Sequence, residues 1–525
     1  MYIRYYFYYT YMCGILALIH ATLNETEEAK QSYMKGKHRG PDHSTFLVGS
    51  YVSLGFHRLA INGLDDISNQ PFVRDGIYLI CNGEIYNHKE LYTLMNKKPV
   101  TNSDCEVIID LYLQFGIEHV VHAINASEFA FVLYDSIRQI VYVARDPYGV
   151  RPLLRGTKGT MICFASEYKM MPMVDKVNHV LPGTITAIDV FTCKEFTITY
   201  SSLPSITTFQ GMYCDRIRQT LYDCVRQRVL NMERPMACLL SGGLDSSLIA
   251  MLVNQCRKEL GMSEPLETYS IGLEGAEDLK YADIMANFLG SKHTSVVVTE
   301  KDFLDAIPEV IYAIESRDTT SVRASVGNYL ICKYIREHSE AKVIFNGDGA
   351  DEVCGGYLYM KRAPNAIEFD KECRRLVNEI YMYDALRSDR SISSHGLESR
   401  TPFLDRAFVE MYMSIPIEMR YTSCEKLVLR TAFKGCMPDA ILWRKKEAFS
   451  DGVSSMQRSW FSIIQESIPL DVQEEYKKII TEMTLEQYYY KKIYDSYFQI
   501  DMFYKYWMPK YTTTKDCSAR TLENY

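Results

Sequence analysis

Residues 236–250 read Met-Ala-Cys-Leu-Leu-Ser-Gly-Gly-Leu-Asp-Ser-Ser-Leu-Ile-Ala, a strand-like run entering a Gly-Gly turn and then a helical pattern. Such a turn presents backbone N–H groups to an anion. Gly242 and Gly243 permit close approach, Ser241, Ser246 and Ser247 add hydroxyl donors, and the helix N-terminus contributes partial positive charge. Asp245 makes sense beside a phosphate cradle if a divalent cation sits between them. A tight turn with a capping Asp is the alternative; the whole SGGLDSS string after a buried strand weighs toward phosphate. It is not a Walker A loop, because the Gly-Lys-Ser/Thr end is missing. A second cluster, from Phe345 to Tyr357, places Asp348, Asp351 and Glu352 among glycines. Carboxylates this dense repel one another unless a cation or a substrate ammonium joins them, whereas a solvated acidic turn has no use for so many glycines.

A different chemistry is available at Cys13. A cysteine directly after a methionine, here Met12, can become N-terminal and then carries both a thiol nucleophile and an α-amine of pKa about 8 to act as its base. A small buried cysteine is the bland alternative. Arg58 can hold a carboxylate bidentately, and Glu84 and Asp104 can receive an ammonium. For Asp104 the alternative is structural, since Ser103-x-x-Glu106 has the form of a capping box.

These residues need elements to position them. From about Cys13 to Tyr200, short β-rich runs (YVSLGF, IYLICN, FAFVLYD, QIVYVARD, MICFASE, TITAID, EFTITY) alternate with turn residues, which predicts layered sheets. FAFVLYD and QIVYVARD form a hairpin, and helices are expected before Arg39 and after Ser103. SSLPSITTFQG reads as a linker. Beyond it strand and helix alternate through MACLL, ETYSIG, SVVV and KVIF, the pattern of a doubly wound parallel sheet. In DLKYADIMANFLG, the spacing predicts a buried face of Tyr281, Ile284, Met285, Phe288 and Leu289, with Gly290 as the stop. After Ala363 the chain reads as mostly helical and aromatic.

Composition bounds the function. With 525 residues, 47% hydrophobic and 24% charged, the chain is globular, and its length fits about three or four domain-sized units or, equally well, two large domains. A net charge of -8 offers no broad footprint for a nucleic acid. No apolar run reaches the roughly 18 residues of a membrane span. Fifteen scattered cysteines without a CxxC pair argue against a disulfide framework or zinc site and for a reducing, cytoplasmic setting. The tyrosine-rich opening is read as an extension and not as a signal peptide.

Taken together, SGGLDSS, GDGADE, the stretch from Asp389 to Arg406 with GLESRTPFLDR, EKLVLR, RKKEAFSDGV and KDCSARTL resemble the synthetase domain of glutamine-hydrolysing asparagine synthetases. HRGPD at 38–42, GFHRLAI at 55–61, CNGEIYN at 81–87 and Asp104 in NSDCE resemble the glutaminase domain of that family. The resemblance implies an αββα N-terminal-nucleophile domain at 13–200 and an α/β ATP-pyrophosphatase domain at 201–525. It implies synthesis of asparagine from aspartate, ATP and glutamine through β-aspartyl-AMP, with AMP, pyrophosphate and glutamate as products and an internal passage for ammonia. Cys13 would be the nucleophile, with Asn82 and the Gly83 N–H as oxyanion hole. Glutamine would lie against Arg58, Leu59, Ala60, Ile61, Asn62, Asn82, Gly83, Glu84 and Asp104. ATP would lie against Leu240, Ser241, Gly242, Gly243, Asp245, Ser246, Ile271, Asn346 and Gly347. Asp245 and Asp351 would hold Mg2+, Lys446 would contact phosphates and the transition-state charge, and Asp348 would be the catalytic acidic residue. The expected partners are small-molecule substrates, without nucleic acid or membrane, and a homodimer is left open.

The chain departs from the family at four places. Cys13 follows twelve residues; Ala126-Ser127-Glu128 stands where members often have Asp-Gly; Asp348 stands for a frequent Glu; and Val326-Gly327 stands for a frequent Thr-Pro. Two other readings are a relative that adenylates a different carboxylate and a non-catalytic regulatory relative. EKLVLR and KKEAFSDG favour the asparagine branch over the first, and the intact Asp245, Asp351 and Lys446 oppose the second.

Overall fold

The computed structural model describes residues 13–124, 128–204, 213–502, 505–514, 516 and 518–521. The opening twelve residues, Ala126, Ser127 and the later part of the expected linker lie outside the described residues.

The first half is built on two antiparallel six-stranded sheets. One contains β1 (Gly14–Ile19), β2 (His43–Leu47), β3 (Val52–Arg58), β8 (Leu154–Lys158), β9 (Met161–Ala165) and β10 (Lys176–His179), in the order β10-β8-β9-β1-β3-β2. The other contains β4 (Phe72–Arg74), β5 (Ile77–Glu84), β6 (Glu128–Asp135), β7 (Ile140–Arg145), β11 (Thr184–Asp189) and β12 (Glu195–Thr199), in the order β12-β11-β7-β6-β5-β4. Alternation along the strands divides their side chains between two faces. On β1, Ile15, Ala17 and Ile19 enter a core with Ile80, Ala130, Val132, Val141 and Val143 of the opposite sheet. Leu16 and Leu18 face Ala29 and Tyr33 of helix α1 (Leu23–Tyr33) on the outer side. Helices α2 (His88–Met95), α3 (Val107–Phe115) and α4 (Ile117–Ala123) cover the second sheet. The layers are therefore α, β, β, α, as expected, and the β6–β7 hairpin is present.

Helix α5 (Tyr213–Leu230) leads into a parallel sheet of β13 (Met236–Leu239), β14 (Glu267–Leu273), β15 (Lys292–Val298), β16 (Val343–Phe345) and β17 (Glu398–Arg400). Its order is β15-β14-β13-β16-β17. Helix α6 (Leu244–Glu259) packs with α5 on one face, while α8 (Glu300–Ile314) and α9 (Thr319–His338) pack on the other. The strand order reverses between β13 and β16, and in open α/β sheets ligands bind outside the carboxyl ends of strands at such a reversal. The two segments that follow these strands are SGGLDSS and NGDGADE.

Helix α7 (Glu277–Leu289) follows the expected period but presents a different face. Ile284 and Phe288 are 41% and 52% exposed, and the buried side is Asp278, Ala282, Met285, Ala286 and Leu289. The cause is close packing against the Gly-Gly turn: a Cβ on Gly242 would lie 2.3 Å from the Tyr281 carbonyl carbon and 2.4 Å from Ala282 N. A helix this near the turn must offer its alanine side. Gly290 ends it in the left-handed conformation, as expected. The strand β17 has no periodic signal; its Glu-Ser-Arg is buried by the sheet, not by its own hydrophobicity.

Candidate functional site

The cleft at the strand reversal has a volume of about 1330 Å³ including its open mouth. Its walls include Leu240, Ser241, Gly243, Asp245 and Ser246 from the first loop, Ile271 from β14, and Asn346, Gly347, Asp348 and Asp351 from the second. Helix α10 (Ala350–Cys354) carries Asp351 and Glu352. The SGG turn is fixed locally: Gly242 has φ +69°, and the Ser241 and Ser246 hydroxyls lie 3.0 Å apart. Ser247 points elsewhere, fully buried. A side chain at Gly347 would meet the backbone of Asp245 and Ser246 at 2.8 Å, so glycine there lets the two loops touch.

Two lysines stand among the acids. Lys426 Nζ is 2.6 and 2.7 Å from the Asp245 oxygens and 2.5 Å from Asp351 Oδ1. Lys446 Nζ is 2.5 Å from Asp351 Oδ2 and 3.7 Å from Asp245. Burial opposes the Asp351 charge, but the two ammonium groups outweigh it and hold the carboxyl below the usual range. Glu352 goes the other way: burial, then the neighbouring Asp384 and Asp351 charges, raise it well above the usual range. Asp348 Oδ1 accepts from Arg387 Nη2 at 3.0 Å, and Arg387 also donates to Asp384. Arg387 belongs to α12 (Asp384–Ser393), which follows α11 (Ala366–Glu379). Its Nη1 is buried without a hydrogen-bond partner among the described residues, at a cleft wall.

The other predicted site lies where β1, β3 and β5 meet. Cys13 Sγ accepts from Leu59 N at 3.4 Å. Burial pushes its thiol up to about 12. Asn82 Nδ2 is buried and without a hydrogen-bond partner among the described residues, which leaves one donor of that amide uncommitted. A side chain at Gly83 would collide with Glu128 O at 2.5 Å. Asn62 donates to Glu84 at 2.7 Å, and Ala60 N donates to Asp42 at 2.8 Å. Ile61 lies in the adjoining core. Asp104 Oδ2 accepts from Ile85 N at 2.6 Å, and Ser103 makes no side-chain cap, so the capping-box alternative does not hold. Glu106 instead accepts from Thr101 N and pairs with Arg74. The Arg58 guanidinium is committed to the 62–69 loop, donating to the carbonyls of Asn62, Gly63 and Asp65 and to Asn69 Oδ1.

Family comparisons cover both halves of the chain. The glutamine amidotransferase domain family matches residues 12–209, and the asparagine synthase family matches 216–369 and 362–490. The glutamine-hydrolysing asparagine synthetase of Cricetulus griseus is 38% identical over 98% of this chain and 99% of its own length. Those of Mus musculus and Homo sapiens are each 37% identical over the same shares. The chain belongs to the glutamine-hydrolysing asparagine synthetase family. Within that frame, several charged residues escaped sequence reasoning. Lys426 sits in the quoted EKLVLR string but carries no signal of its own. Between the two sites, Arg151 and Arg228 both pair with Glu128, and Arg400 joins Glu84 at 3.3 Å to Glu398 at 2.7 Å; all three arginines are fully buried. Burial on this scale is set by the packing of the two halves, which no local pattern reports.

The Val326-Gly327 departure from the family acquires a physical reason. A Cβ at Gly327, inside α9, would lie 2.8 Å from the Phe449 ring, which lines the cleft beside the Lys446 segment. Gly327→Ala improves helix propensity by about 1 kcal/mol, yet it should push this ring into the cleft. We expect the KM for ATP to rise about threefold with no gain in melting temperature, since overpacking cancels the propensity. A stabilised variant with an unchanged KM would show that the notch does not matter.

Proposed function

We propose that this chain synthesises L-asparagine from L-aspartate and ATP with ammonia released from glutamine, residues 13–200 acting as glutaminase and 201–525 as synthetase. The observation that carries the reading is the cleft in which the SGGLDSS turn meets Asp351, Lys446 and Asp348. In the first domain the Cys13 thiol attacks the glutamine carboxamide. Burial raises the thiol pKa, so the sulfur calls for a base, which its own α-amine supplies once Cys13 is the first residue. Asn82 Nδ2 and the Gly83 N–H receive the oxyanion. Glu84 and Asp104 take the substrate ammonium, and Arg58 takes its carboxylate by exchanging loop carbonyls for it. The amine passes the thiol proton to the departing nitrogen, the C–N bond breaks, and the glutamyl thioester left on Cys13 is hydrolysed by water to glutamate. The ammonia passes between the domains.

In the second domain the turn at Ser241–Ser246 cradles the phosphates, with Leu240 and Ile271 toward the base and Asn346 and Gly347 beside the nucleotide. Asp245 and Asp351 would hold Mg2+, an ion that uses one or two carboxylates and completes its shell with substrate phosphates; the Lys426 ammonium that now bridges them supports a cation at this pair. When bound it would neutralise charge on the departing pyrophosphate. Lys446 contacts the same phosphates, Arg387 Nη1 is available to the aspartate α-carboxylate, and Asp348 acts at the reacting centre. Cytoplasmic residence and a homodimer complete the proposal. The cysteines of the described residues are all unpaired, and no helix among them is long and apolar enough to cross a membrane.

The test is pyrophosphate release by the full chain with ATP, ammonium and single amino acids. Release dependent on aspartate, with asparagine as product, is expected; dependence on another carboxylate would assign a different product. Asp348→Asn should cut adenylate formation about 100-fold with ATP affinity nearly kept, because shape is retained and charge is lost. Asp348→Glu should keep measurable activity. Wild-type rates in Asp348→Asn would reduce Asp348 to a turn residue held by Arg387.

A further inference from the structure

Residues 444–448, which carry Lys446 over the cleft, run without helix or strand, so no backbone ladder fixes the position of that ammonium. Side chains do it instead. At one end Arg444 donates to the Ser241 carbonyl at 3.1 Å and to Asp278 at 2.7 Å. At the other end the contacts come from the far C-terminus. Arg520 Nε and Nη2 both donate to Glu447 Oε1, at 3.2 and 3.0 Å. Its Nη1 donates to the Ser455 carbonyl at 2.8 Å and to Ser454 Oγ at 3.3 Å. One guanidinium thus ties together both sides of the short helix Phe449–Gly452. Ser518, two residues earlier, donates to Asp451 Oδ1 at 2.6 Å, and both groups are buried.

We infer that the C-terminal turn at Ser518–Arg520 is a strap that sets Lys446 against Asp351, with Arg520 a positioning residue of the synthetase reaction. The planar fork of arginine suits this role, because its donors can span Glu447 and the 454–455 backbone at once, which a lysine ammonium cannot do. The Lys446 role on which this rests is that of the proposed function. The bonds of Arg520 to Glu447 and to the 454–455 segment all fall on the stretch that carries Lys446, so its effect is expected in the synthetase activity and not in the glutaminase.

The experiment uses the full chain and its Arg520→Ala, Arg520→Lys and Ser518→Ala variants. Arg520→Ala should lower kcat/KM for ATP in pyrophosphate release by about tenfold, with glutaminase activity within about twofold of wild type. Arg520→Lys should recover part of the loss, and Ser518→Ala should show a smaller loss of the same kind. Trypsin should cleave after Lys445 or Lys446 faster in Arg520→Ala, and added pyrophosphate should slow that cleavage in wild type. Wild-type kinetics with wild-type cleavage would overturn the strap, as would a parallel fall of both activities with the melting temperature. If Arg520→Ala does not fold, Ser518→Ala decides by the same criteria. If wild type releases no pyrophosphate from ATP and aspartate, the proposed function fails, while trypsin cleavage still reads the strap.

Discussion

Cys13→Ala is expected to abolish glutamine-dependent asparagine formation, by about 1000-fold or more, and to leave ammonia-dependent formation within about twofold of wild type. In the proposed reaction the sulfur is needed only to release nitrogen, whereas aspartate is activated in a cleft built from the other sheet. The thiol is held near the Leu59 main chain, and burial raises its pKa to about 12. It therefore reacts only if a base removes its proton during attack. An amide nitrogen at Cys13 has no such capacity, so mass spectrometry of active enzyme should find Cys13 at the N-terminus. An active species that carries residues 1–12, or a Cys13→Ala variant that has lost ammonia-dependent synthesis while still folded, would break the two-site assignment. The buried ion pairs Arg400–Glu84 and Arg228–Glu128 make this a demanding test, since they bind the two halves into one body. Alanine at residue 13 keeps the backbone carbonyl that Arg39 holds at 3.0 Å, so these pairs should survive the change.

How much of this was legible in the sequence depends on what kind of force fixed each part. Strand identity in the first half was readable because alternation and turn residues are local. So were the two glycine-rich turns that follow β13 and β16, because glycine marks a turn locally. The stripe on α7 was misplaced because its orientation is set by a contact with Gly242, some forty residues earlier in the chain. Arg58 was read as a bidentate donor to a carboxylate; its partners in the structure are the carbonyls of Asn62, Gly63 and Asp65 and the Asn69 side chain, whose positions depend on the path of the 62–69 loop. The lysine between Asp245 and Asp351 was invisible for a plainer reason: a buried ammonium is written with the same letter as a solvated one. Only the fold tells them apart.

That lysine gives the second large expectation. Lys426→Met should reduce ATP-to-pyrophosphate turnover by about 100-fold or more while sparing glutaminase activity. Methionine fills nearly the same volume, so the loss is one of charge. In wild type the Lys426 ammonium lies within 2.7 Å of both Asp245 oxygens and 2.5 Å from Asp351, and a Cβ at Gly356 would strike its Cε, so its path is tightly walled. Removing one member of a buried ion cluster commonly costs about 3–5 kcal/mol, because the partner charge stays buried without compensation. Asp351 would retain Lys446 alone, and Asp245 would have it only at 3.7 Å. The pH dependence follows from the sign of the Asp351 shift. A carboxyl held below its unfolded pKa contributes stability at neutral pH that is lost as pH falls through the unfolded value toward the lower folded one. The wild-type melting temperature should therefore drop on acidification below about pH 4. In Lys426→Met the carboxyl moves upward, so the neutral-pH melting temperature falls and the acid-dependent drop shrinks. Added Mg2+ should restore part of the lost melting temperature, as a divalent ion placed between the same two carboxylates replaces the missing ammonium. A variant with wild-type turnover and an unchanged pH profile would show that the lysine is only packing. A variant that Mg2+ fails to stabilise would remove Asp245 and Asp351 as its ligands.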